Sequence, residues 1–181
     1  MRFILAALIC FSLPASANEL SSRYEVIGQL DAIVDGEEMQ MPIAIDLERD
    51  SSFADIKVFY GREMLSITAV TATEDGGWNS PAISFTIDLA TGPLGGLTSV
   101  SMSEADRDHN HPTEATFPDG EREMTNFSIT EDGEVAFDFT AELIRFELDE
   151  EWEQTPEEGL APVVMSGHIF VVIPEQFREE K

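Results

Sequence analysis

Cysteine is almost missing from this chain of 181 residues: the single thiol is Cys10, inside the first apolar stretch. One cysteine makes no intramolecular disulfide and no Cys-based zinc site, so stability has to come from burial. Basic residues are also scarce, with 10 Lys and Arg against 36 Asp and Glu, for a formal charge of −26. Complexes with phosphate backbones and anionic lipid surfaces depend on clustered cations, so this composition argues against a nucleic-acid partner. Hydrophobic residues still make up 43% of the chain, enough for a real core and too many for a disordered acidic tail.

Catalytic motifs are missing as well. There is no nucleophile elbow, no Ser-x-x-Lys pair, no His-Glu-x-x-His helix and no Gly-rich phosphate loop between a strand and a helix. Gly92-Pro93-Leu94-Gly95-Gly96 reads as a tight turn. The 36 acids supply many carboxylate pairs, but for that reason no pair stands out as a general acid and base. A non-enzymatic protein is expected.

The first segment has a targeting pattern. Arg2 precedes an apolar run from Phe3 to Leu13, then Pro14 and the small residues Ala15-Ser16-Ala17. The run is about half of the roughly 20 residues needed to cross a bilayer, so residues 1–17 are expected to be a cleaved signal peptide. Ile9 before Cys10 is too bulky for a lipoprotein signal. Cleavage removes the only thiol. An exported domain without disulfides is expected in the bacterial periplasm, or secreted, with no membrane insertion after cleavage.

Residues 18–181 are expected to form one domain, because the dominant period from Tyr24 onward is two. Tyr24, Val26, Leu30, Ala32 and Val34 share one face; Asp35-Gly36 turns the chain; Met39, Met41, Ile43, Ile45 and Leu47 alternate with polar or small residues. Similar patterns follow around Ile56–Tyr60, Leu65–Ala69, Ile83–Leu89 and Val135–Leu143, with a phase shift near Leu143 that suggests a bulge. Val163–Ile173 is apolar at nearly every position and reads as a central strand covered on both faces. The expected fold is all-β, an antiparallel β-sandwich or closed β-barrel of roughly 8–10 strands built from hairpins. Residues 149–159 read as an acidic loop and 174–181 as a short polar tail. Outward positions such as Glu25, Asp31, Asp46, Lys57, Asp88 and Asp138 are too polar for a lipid-facing barrel. Arg62-Glu63-Met64 and Arg122-Glu123-Met124 each lead to a Thr-Glu-Asp-Gly turn and a Phe-centred strand, Phe85 and Phe137, which hints at a repeated hairpin.

Three groups of residues are candidates for a site. The loop Glu104–Glu114 holds His109 and His111, which on an extended segment point the same way and with Asp106 or Asp108 offer ligands to a divalent metal. A calcium loop is disfavoured, since His111 stands where the turn glycine should be and Phe117 where the bidentate glutamate should be. The simpler reading is a solvated acidic loop. His168 reads as a hydrogen-bonded structural histidine, or as a third ligand. Met39 and Met41 share the phase of the core. Trp78 and Trp152 fall in expected loops, as a ligand or partner surface or as caps on the sheet ends. The readings that remain are a binding or interaction module, with a basic protein or a small ligand as partner; a divalent-metal binder; a barrel carrying an apolar ligand, as calycins do; and, last, a hydrolase working through a carboxylate pair.

Overall fold

The computed structural model describes residues 19–94, 98–103, 113–114, 122–148, 154–157 and 159–178. The expected signal peptide lies outside them. The strands are β1 (Tyr24–Val34), β2 (Glu37–Asp46), β3 (Ser51–Ser52), β4 (Ala54–Phe59), β5 (Arg62–Ala72), β6 (Trp78–Asp88), β7 (Ser99–Ser103), β8 (Thr113–Glu114), β9 (Arg122–Ile129), β10 (Glu134–Leu143), β11 (Phe146–Leu148), β12 (Gln154–Pro156) and β13 (Val163–Val172). They form a six-stranded sheet in the order β3-β2-β1-β13-β10-β9, a five-stranded sheet in the order β4-β5-β6-β7-β8, and the small ribbon β11-β12. All the pairings within the sheets are antiparallel, and the two main sheets pack face to face as a sandwich.

Turn chemistry sets the hairpins. Asp35 and Gly36 take φ of 49° and 88°, and Tyr60 and Gly61 take 49° and 76°, the two positive values that a two-residue hairpin needs to follow the strand twist. The alternating apolar residues then fall on the inner faces. Leu30, Ile43, Ile67, Ile83, Val135, Ile169 and Val171 have no exposed surface, and a large aliphatic residue buried in this way contributes about 1.5–3 kcal/mol. The ring of Phe85 meets Phe137 edge to face at 5.4 Å and Phe139 at 4.8 Å. The centres of the two similar hairpins, one in each sheet, thus meet in the core. Rings and aliphatic side chains from both sheets pack against one another between them.

The structure differs from the sequence reading at several points. The central strand is β13, hydrogen-bonded to β1 and β10, but it is covered on one face only, with Val164, Phe170 and Val172 exposed. The phase shift at Leu143 marks the end of β10 and the start of the β11-β12 ribbon. The bulges lie instead at Ile27, around Asn126 and Phe127, and near Ser80-Pro81. The bulge at Ile27 breaks the phase of β1, so Val26 is 57% exposed while Ile27 packs on the core. Trp78 opens β6, and Gln154–Pro156 of the acidic segment is a strand. In the expected tail, a 3-10 turn over Glu175–Phe177 brings Phe177 against the core, and Arg178 bridges to Ile56. Asp46 and Asp88, read as solvent-facing, are buried.

Candidate interaction surface

Asp46 and Asp88 end β2 and β6 and do the same work. Each accepts backbone N–H groups of the turn that follows, from Glu48 and Arg49 in one case and Ala90 in the other. Each also takes an arginine from another strand or strand lead-in: Arg23 reaches both oxygens of Asp46, and Arg62 lies 2.6 Å from Asp88. These hydrogen bonds, from Arg23 and Arg62 first, hold both carboxyls below the usual aspartate range. Two structural jobs thus consume two of the few cations. The signal was in the sequence, as Ile45-Asp46-Leu47 and Ile87-Asp88-Leu89 repeat one tripeptide at two strand ends.

The outer face of the six-stranded sheet has a different character. Besides the buried Asp46, β1, β2, β10 and β13 together contain seven carboxylates and no lysine or arginine. Register places Gln40, Asp31, His168, Asp138 and Thr125 side by side in one row across the sheet. The next row is Pro42, Gln29, Phe170, Ala136 and Ser128. Along β13 the outward positions are Val164, Ser166, His168, Phe170 and Val172; Val164 is 58% exposed, Phe170 46% and Val172 38%. Ile33 on β1 adds a further apolar group, 47% exposed.

His168 sits in the middle of this face, its Nδ1 2.7 Å from Asp138 Oδ1, and Asn126 donates its side-chain amide to Asp138 Oδ2. These bonds, Asn126 first and His168 second, hold the Asp138 carboxyl below its ordinary value. Because an ionised carboxylate only accepts, the imidazole donates from Nδ1, which orients the ring and leaves Nε2 for other partners. Beside it lies a depression of about 390 Å³ lined in part by Asp31, Ile33, Glu38, Met39, Asp138 and His168.

The outer face of the five-stranded sheet is lined by hydroxyls. Thr68 bonds Ser84, and Ser80 bonds Ser103. Lys57 pairs with Asp55 and Arg62 with Asp88, each at 2.6 Å. At the tip of the β4-β5 hairpin Phe59 and Tyr60 meet edge to face at 4.5 Å.

Of the residues singled out in the sequence, Asp106, Asp108, His109, His111 and Trp152 lie outside the described residues. Among those described, no group of three or more His, Cys, Asp or Glu is placed to hold a metal ion, and no helix is long and apolar enough to cross a membrane. Trp78 is 44% exposed, and its ring meets Phe53 edge to face at 5.4 Å; Phe53 in turn leans on Tyr24. Met41 is in the core, and Met39 packs against it half-buried. The sequence reading missed the exposed stripe on β13, because a run apolar at every position looks the same whether one or two faces are covered.

The molecule is therefore an antiparallel two-sheet sandwich with an acidic and apolar outer face. No protein-family model matches the chain, and neither the curated proteins nor the solved structures contain a match.

Proposed function

We propose that this protein is an exported, non-enzymatic binding module that engages a protein partner through the outer face of its six-stranded sheet. One observation carries the reading: the central strand β13 presents Val164, Phe170 and Val172 to solvent where a half-covered antiparallel sheet normally alternates to polar side chains. Exposed aromatic residues such as Phe170 are enriched at protein interfaces, and a polar rim surrounds them. The targeting pattern at residues 1–17 supports the exported location, and the absence of catalytic motifs supports binding over turnover.

Site-specific photocrosslinking tests this. A photoreactive phenylalanine analogue at position 170, in the full chain expressed in its own cells, is expected to give a discrete covalent adduct. The same group at position 57, on the other sheet, is expected to give none. Adducts at 57 alone, or at neither position, would overturn the proposal.

A further inference from the structure

We infer that the partner segment bound by this face is a cationic amphipathic helix laid along β13; this rests on the binding reading above and names the chemistry of what binds. Three features of the face converge. Its centre is the outward side of β13, with Val164 exposed at one end, Phe170 and Val172 at the other, and Ser166 and His168 between them. Its flanks are acidic on both sides, with Asp31 and Glu38 on the β1-β2 side and Glu134, Asp138 and Glu142 on β10. The four strands that build it contain no lysine or arginine, so nothing on them neutralises those carboxylates from within, and His168 is turned toward Asp138.

Dimensions favour a helix. Neighbouring strands lie roughly 4.8 Å apart, so the columns on β1 and β10 are separated by roughly 10 Å, close to the width of a helix with its side chains. A helix seated over β13 with its apolar face down holds Lys and Arg on its two flanks, near Asp31 and Glu38 on one side and Glu134, Asp138 and Glu142 on the other. Val164 to Val172 spans roughly 27 Å of strand, the length of about 18 helical residues. An extended strand lying on the same face is too narrow to reach both columns, and a second copy of this chain is repelled by a formal charge of −26 on each molecule. The depression beside His168 accepts one larger side chain, its Ile33 and Met39 walls taking an aliphatic stem and Asp31 and Glu38 a cationic head.

The test uses the full chain and two synthetic 18-residue peptides of leucine and lysine, one with the leucines on one helical face and one with the same composition shuffled. Calorimetry is expected to show binding of the amphipathic peptide that weakens with added salt, and at least tenfold weaker binding of the shuffled one. The triple variant Asp31→Asn, Glu134→Gln, Glu142→Gln and the single variant Phe170→Ser are each expected to lose about tenfold in affinity. The control triple Glu19→Gln, Glu74→Gln, Glu175→Gln removes the same charge from exposed positions outside those strands and is expected to change affinity less than twofold. A melting temperature for each variant excludes unfolding as the cause. Equal binding of both peptides, or an equal loss in the control triple, would mean attraction by bulk charge and would overturn the inference. No peptide binding together with an adduct at position 170 would overturn the helix and leave the binding face standing.

Discussion

The outer faces of the two sheets grow from the same alternating pattern and end with opposite chemistry. On the five-stranded sheet the cations Lys57 and Arg62 are each held by an aspartate, and hydroxyl side chains bond one another across the strands. The polar groups of that face pair with one another, and its exposed rings, Phe59 and Tyr60, are confined to the β4-β5 tip. On the six-stranded sheet the carboxylates have no lysine or arginine among the central strands to meet them, and the apolar groups of β13 face solvent. The difference teaches where energy is left unspent. A salt bridge or hydroxyl pair made within the molecule is no longer available to a partner, whereas an exposed phenylalanine on strands that carry carboxylates and no lysine or arginine is.

The largest effect that tests this contrast is a comparison of phenylalanines. Phe137→Ala, in the core against Phe85, should cost about 3–5 kcal/mol in denaturant unfolding. Phe170→Ala and Phe59→Ala, one on each outer face, should each change stability by less than about 0.5 kcal/mol. A large loss for Phe170→Ala would mean that the exposed ring serves the fold and would break the comparison.

A smaller effect is expected where β13 crosses close to β1. A Cβ at Gly167 would lie 2.3 Å from the Asp31 carbonyl and 2.9 Å from the Ala32 Cα. Backbone has to move to admit it, so Gly167→Ala should cost about 1–3 kcal/mol, measured by the shift of the urea midpoint. Ser166→Ala, one residue away on the outer side, should leave the midpoint nearly unchanged.

The smallest effect is in pH dependence. Asp46, Asp88 and Asp138 all have carboxyls held below their ordinary value in the folded state. The stability they contribute is therefore complete above the unfolded aspartate range, near pH 4, and is lost as pH falls through the lower folded values. Arg62→Gln takes the first cause of the shift from Asp88, so thermal melts should show a lower midpoint near neutral pH and a smaller further loss as pH falls through the acid range. Asp138→Asn removes only an exposed pair and should change the limb less. Reversal of that order would place the stronger electrostatic anchor on the six-stranded face.

Much of the fold was legible because hairpin turns and period-two alternation are local. Asp35-Gly36 and Glu131-Asp132-Gly133 marked turns from residue types alone, and Met41, Ile43, Ile83, Phe85 and Phe137 were legible as core from their spacing. The bulges at Ile27 and near Asn126 were not, since they depend on which residue of the partner strand lies opposite. The site was less legible still. His168, Asp138 and Asn126 come from three strands spread over 43 positions of sequence, and only sheet order makes them neighbours.

What the sequence determined by itself is the antiparallel all-β character and a strongly acidic surface, since both follow from composition and from contacts between near neighbours in the chain. Tertiary structure alone decided which sheet each hairpin joins, that β13 is covered on one side, and that acids from β1, β2 and β10 flank its exposed Val164, Phe170 and Val172. Those outcomes depend on pairing between strands distant in the chain, such as β1 with β13, and a pattern of period two carries no information about which partner a strand will choose.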